Sequence, residues 1–131
     1  MNDPWHPSLV HFPVAFFLLE AFLIVLWSRK RDPAYERFAW LVFRLAMGLL
    51  PVVMAAGWID AGGLNPRVVR HFSAAVSLLV WNGFRLLWRL RSGPAMWASP
   101  HRRWAYALLA GSVVLTALTG HLGGDIVYDK L

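Results

Sequence analysis

No cysteine occurs among the 131 residues. That excludes disulfides, thiolate metal ligands, cysteine-ligated iron–sulfur clusters and haem attached through CxxCH. Charge is scarce, at 15% of residues, and only seven residues are acidic. The first residues, MNDPW, lack a basic n-region and a small-residue cleavage site, so no removable signal peptide is expected. No HxxxH pair is present either, which weakens the signal for a metal site on one helix. Room for a soluble domain is also lacking, because apolar runs take up most of the chain.

Those runs are what the sequence has in abundance. Hydrophobic residues make up 58% and the mean hydropathy is +0.48, above the usual balance for a soluble domain. Four runs account for this: Leu9–Trp27, Phe38–Trp58, Phe72–Trp88 and Trp104–Leu122. Each is about 17–21 residues, matching a hydrocarbon core of roughly 30 Å at 1.5 Å per helical residue. The expected fold is all-α, an integral-membrane up-down four-helix bundle forming a single domain over residues 1–131. Short loops make consecutive helices antiparallel.

A proline stands near the start of each predicted helix, in His6-Pro7, Asp32-Pro33, Asn65-Pro66 and Ser99-Pro100. Asp, Asn and Ser cap helices, and proline suits a first helical position. Helices are therefore expected at about 7–28, 33–59, 66–91 and 100–121. Interior Pro13 and Pro51 should loosen or kink two of them. Trp27, Trp40, Trp88, Trp97 and Trp104 mark one membrane interface, and Trp5 and Trp58 the other. Gly48, Ala55, Ala56, Gly57 and Gly111 offer close-packing surfaces.

The net charge of +6 reads as orientation. Arg29, Lys30, Arg31, Arg37, Arg85, Arg89, Arg91, Arg102 and Arg103 fall at one end of the runs, so the positive-inside rule makes that end cytoplasmic. Both termini then face outward from a bacterial inner membrane. The partner this implies is lipid; no nucleic acid is expected.

The histidines form a candidate site. His11 and His71 lie about one turn into helices that start at the outer side, and His121 returns to that level on the fourth helix. His6 lies just outside His11, while His101 is alone at the other end. A lone interfacial histidine is often only a solvated side chain, but several ionisable residues within helices usually face a bundle interior or cavity. Haem b, held by two axial imidazoles without thioethers, is the leading expectation, with one or two haems. His11 and His71 are the first choice of axial pair, and His6 and His121 serve a second haem or support the first. Arg67 and Arg70 would meet propionates, or are ordinary surface charge. Outer-side glycines would admit the macrocycle, or are turn residues, and Phe12, Phe72 and Trp58 could pack on the ring. Asp60 and Asp125 are candidate acceptors for imidazole N–H groups. The alternative is a copper or zinc site on the same four histidines, His6, His11, His71 and His121. His6 and His11 diverge by roughly 140° on an unbroken helix and would not share a small ion.

Glu20 and Arg44 form a second polar feature, since antiparallel neighbours would put them at one depth. The expectation is an interhelical ion pair or a snorkelling arginine. The functional alternative is a proton relay or quinone-side carboxylate, with Asn82 at similar depth.

HPSLVHFP with Glu20 following, a lone histidine opening the third helix, and TGHLGGDIVYD closing the fourth resemble a bacterial family of four-helix membrane proteins. That family has HPxxVHFP and GHxGG motifs and is catalogued as domain of unknown function 2231. The resemblance runs from His6 to Tyr128. It places His6, His11, His71 and His121 at the family's motif histidines, and Gly123, Gly124 and Tyr128 at its terminal glycines and tyrosine. Members occur joined to Rieske-type or cytochrome c modules, which implies a setting in membrane electron transfer. No such module lies within these residues, so redox partners are expected on separate membrane or periplasmic chains, with quinone a further candidate. The functional expectation is a b-type cytochrome-like subunit, not an enzyme by itself but part of an oxidoreductase complex. The alternatives are a structural or anchoring subunit without a cofactor, and a copper- or zinc-handling membrane protein.

Overall fold

A computed structural model describes residues 5–98 and 100–128, with side chains from Ser8 to Val127. Four long helices follow one another: α1 (Trp5–Lys30), α2 (Pro33–Asp60), α3 (Pro66–Ser92) and α4 (Arg102–Tyr128). A short 3-10 turn, Gly93–Trp97, precedes α4. At 1.5 Å per residue each helix is roughly 40 Å long, the thickness of a bilayer with its headgroups. α1 packs against α2 and α4, and α3 completes the ring by packing against α4 and, more thinly, α2. α1 and α3 therefore sit across the diagonal of an up-down bundle. The basic end carries the α1–α2 and α3–α4 connections; the opposite, terminal end carries the start of α1, the end of α4 and the α2–α3 loop.

Local chemistry sets the helix ends. Arg31 ends α1 in the left-handed region at φ 56°, its N–H donating to the Trp27 carbonyl at 2.8 Å. Asp32 then caps α2 by accepting from the Ala34 N–H at 2.9 Å, with Pro33 in the first turn. Asn65 caps α3 by accepting from the N–H groups of Arg67 and Val68, both at 3.0 Å. Gly93 terminates α3 at φ 58°, a conformation that costs glycine little. α1 and α2 stay helical through Pro13 and Pro51.

Two expectations need correction here. α4 does not end at 121 but runs on to Tyr128 through Gly123 and Gly124. Trp97 does not join the interfacial belt. The 3-10 turn folds it inward with Met96, and both are buried against Ile24, Ala39, Ala105 and Leu109. Trp97 lies 6.5 Å from the Trp27 ring and 5.4 Å from Tyr106, so it closes the basic end of the bundle. A second cluster, Phe17, Phe43, Ala46, Leu50 and Leu78, fills the middle.

Large apolar side chains cover the outside, among them Phe12, Phe22, Phe38, Leu45, Phe84, Leu90 and Val114. α1, α2 and α4 are each long and apolar enough to cross a membrane by themselves. α3 is not among those candidate spans, whereas four transmembrane helices are expected from the sequence. Its amphipathicity is inverted relative to a soluble helix: Val76, Val80, Phe84, Leu87 and Leu90 face out, while Asn82 and Arg85 are buried. Polar inside and apolar outside is the pattern of a helix surrounded by lipid.

α3 and α4 approach closely because position 111 is glycine. A Cβ there would lie 2.4 Å from Trp81 Cζ2. The Trp81 ring is pinned by its Nε1–H donating to the Leu108 carbonyl at 2.8 Å, so it has little freedom to yield. Gly111→Ala should therefore destabilise the bundle by about 1–3 kcal/mol. Gly48→Ala, with no atom within 4 Å of the added Cβ, should be close to neutral. Thermal unfolding of both variants in detergent checks the difference.

Candidate functional site

The largest buried polar cluster lies between the mid-plane and the basic end. Glu20 of α1 and Arg85 of α3 reach across the diagonal and are 3% and 2% exposed. Arg85 Nη1 donates to Glu20 Oε2 at 3.2 Å, and Nη2 donates to Oε1, a two-pronged pair. Nη1 also donates to Asn82 Oδ1 at 2.7 Å. Asn82 Oδ1 in turn accepts from the Ser112 hydroxyl of α4 at 2.9 Å. Asn82 Nδ2 closes the network onto the Leu78 carbonyl at 2.9 Å.

One turn nearer the basic end, Arg89 Nη2 donates to buried Glu36 Oε1 at 2.7 Å. The guanidiniums lie over aromatic faces, Arg85 4.8 Å from the Phe43 ring centre and Arg89 4.7 Å from that of Trp40. Between the two ion pairs is a cavity of about 20 Å³, lined by Glu20, Glu36, Arg85, Arg89, Trp40 and Phe43 among others. That is room for about one water. Arg85 Nε, buried beside it, makes no hydrogen bond to the described protein atoms.

This corrects the polar layer expected from the sequence. Glu20 and Asn82 belong to it, but Arg44 does not; the cation is Arg85. Arg44 is exposed on the outer side of α2, because the buried row of that helix runs through Ala39, Val42, Phe43, Ala46, Leu50 and Val53. Matching depth made Arg44 a candidate, and helix rotation ruled it out. A signal for Arg85 was present: it stands three residues after Asn82 and seven after Leu78, on the same stripe of α3. Its place near the end of the third apolar run groups it, on sequence alone, with the orienting charges of the basic end.

The polar row continues toward the terminal end along the α3–α4 seam. Ser112, Thr116 and Thr119 are buried one turn apart on α4. The hydroxyls of Thr116 and Thr119 donate to the carbonyls four residues back, both at 2.7 Å. Beside Thr119 stands His71, whose Nδ1 is 3.1 Å from the Thr119 carbonyl. A carbonyl only accepts, so Nδ1 carries a proton in this contact. The ring lies against Gly123, where a Cβ would be 2.9 Å from His71 Cε1. Gly123 is thus neither a turn residue nor a bend; it makes room for the imidazole.

The remaining predicted residues do not converge on His71. His11 is exposed on α1, on the far side of that helix from buried Pro13. His121 is also exposed, two residues from each of Thr119 and Gly123 and therefore on the opposite face of α4. Its Nε2 lies 3.8 Å from Asp125 Oδ2, beyond hydrogen-bond length. The side chain of His6 lies outside the described residues. His101 is exposed at the basic end, edge-on to Trp88. Among the described residues no three His, Asp or Glu side chains are grouped as a metal shell. Trp58 and Phe72 pack on each other at 5.0 Å, while Phe12 is exposed beside Phe16. Asp60 is exposed at the end of α2. Arg67, Arg70 and Asp125 do come together, lining a polar cleft of about 250 Å³ with Leu122, where α3 begins and α4 ends.

An apolar rim around buried charge defines the class: a helical bundle embedded in the membrane and in contact with lipid. A family model described as predicted membrane protein, DUF2231, matches residues 2–130, and the chain belongs to that family. No curated protein and no solved structure matched the chain.

Removing one partner of a buried pair strands the other charge, typically at about 3–5 kcal/mol. Glu20→Leu or Arg85→Leu alone should lower the unfolding midpoint markedly. The double variant should recover much of the loss, and a double-mutant cycle on unfolding in detergent measures this.

Proposed function

We propose that the protein is a b-type cytochrome-like electron-transfer subunit, holding haem at the terminal end of the bundle. What carries this reading is the seat of His71. An imidazole whose Nδ1–H is donated to a backbone carbonyl presents Nε2 in a fixed orientation, the outer-shell arrangement found behind metal-bound histidines. The cleft of Arg67 and Arg70 begins at the residue before it, and arginines suit propionate carboxylates. His71 is the anchored axial ligand in this reading. His11 and His121 face away from it, so the second ligand in this reading is His6 or a group of another chain, or those two histidines hold a separate haem. A bound haem would supply a one-electron couple. The protein's own part is to fix the imidazole tautomer and to balance carboxylate charge.

Orientation belongs to the same proposal. With Arg85 buried against Glu20, eight of the orienting cations still stand at the basic end, against Arg67, Arg70 and Lys130 at the other. The basic end is then cytoplasmic in a bacterial inner membrane, and His71 lies on the outer side. Partners in this reading are membrane or periplasmic redox subunits, with quinone as a membrane-soluble donor or acceptor, and the chain works within an oxidoreductase complex.

The outward direction of His11 and His121 favours a second reading, a structural subunit that anchors a larger complex without a cofactor of its own. A reduced-minus-oxidised visible spectrum of protein purified from haem-supplied cells separates the two. Haem bands are expected in the native protein and in His101→Ala, and should be lost in His71→Ala. Absence of bands from the native protein overturns the cytochrome reading. Metal analysis of the same sample then distinguishes a copper or zinc protein from a structural one. Equal haem retention in both variants rejects His71 as the ligand.

A further inference from the structure

Arg44 is left without a role by the interior network, and its position is costly. α2 is 28 residues long, with Arg44 twelve residues from the Asp32 cap. That places its Cα roughly 18 Å along a helix of about 42 Å, near the middle of the bilayer. The side chain is exposed on the lipid-facing side. Ionisable residues within membrane helices almost always turn inward or toward a partner. Its contact within the chain is the Trp40 ring, 5.2 Å from the guanidinium carbon. That same ring already carries Arg89 at 4.7 Å, so Arg44 is the second cation on one indole and gains less from it.

One turn deeper on the same face stands Gly48, exposed, with open space where a side chain would be. A glycine there lets a neighbouring backbone come close. A cation in lipid and a place for close approach thus share one face. The acids among the described residues lie elsewhere. Glu20 and Glu36 are in buried ion pairs, Asp32 caps α2, and Asp60 and Asp125 lie at the terminal end. Among the described residues a second copy therefore offers no carboxyl at this depth and would bring arginine against arginine.

We propose that the Arg44–Gly48 face of α2 docks a membrane-spanning helix of a different protein, one that presents a carboxyl group near the mid-plane to Arg44. The inference is independent of whether the protein binds haem.

Because the chain has no cysteine, a single dye can be placed through Ser28→Cys in the full-length protein. This is reconstituted in phosphatidylcholine vesicles with a labelled polyleucine transmembrane peptide carrying one central Glu, or its twin with Leu there. Energy transfer should report roughly tenfold tighter association of the Glu peptide. The preference should vanish in Arg44→Leu and persist in Arg37→Leu. Gly48→Leu, which has space to fold normally, should weaken Glu-peptide binding as well. Equal association of the two peptides, or a Glu preference that survives Arg44→Leu, overturns the proposal. So does Arg44-dependent energy transfer between two copies of the protein, which would make a second copy the occupant. Loss of the preference in phosphatidylglycerol vesicles would assign Arg44 to a lipid phosphate instead.

Discussion

The Arg85–Glu20 pair is the interaction on which the arrangement of the bundle turns. It joins the two helices that lie across the diagonal, so neither α1 nor α3 can rotate or slide without stranding a charge in a medium that solvates none. The pair is not isolated: Asn82 and Ser112 take up further hydrogen-bonding capacity and bring α4 into the same network. A buried ion pair is weak support for stability in general, since apolar replacements often do as well. Its value here is registration. Leucines on four greasy helices pack in many registers of similar energy, and one two-pronged guanidinium–carboxylate pair selects among them.

A second consequence is the division of the bundle into two chemical halves. Toward the basic end the interior holds two stacked ion pairs, with aromatic rings beneath the guanidiniums and Trp97 closing the bottom. Toward the terminal end the interior holds small residues and hydroxyls, leading to His71. The row of Ser112, Thr116 and Thr119 joins the halves along one face of α4. The threonine hydroxyls return their hydrogens to their own helix, so they lower the polarity cost of that face while remaining acceptors. Gly111 and Gly123 bracket the row and let Trp81 and His71 come close to the backbone.

Much of this was legible in the sequence and some was not, for identifiable reasons. The all-helical membrane fold followed from four apolar runs, and the starts of α2 and α3 from Asp32-Pro33 and Asn65-Pro66, because capping is local chemistry. Depth was legible too, since 1.5 Å per residue converts position into height. Rotation was not. Knowing that Glu20 and Arg44 share a level does not say which face each occupies, and that face is decided by contacts between distant residues. The same gap explains why His11, His71 and His121 could be placed at one level yet do not face one another. The extension of α4 through its glycines was hidden because a glycine's cost in a helix is offset here by an imidazole many residues away.

The inverted polarity of α3 has a bearing on how the protein reaches its membrane. An arginine within an isolated membrane helix opposes insertion, by about 3 kcal/mol at most when it stands at the centre, and α3 carries Arg85 and Asn82 inward together. Among the four helices, the one that supplies Glu20 precedes α3 along the chain. By the time α3 emerges, α1 and α2 can already stand in the bilayer, apolar enough to hold themselves there. The carboxylate then acts as a receptor for the late helix, admitting it at one depth and one rotation. In that sense the order of segments along the chain is part of the fold.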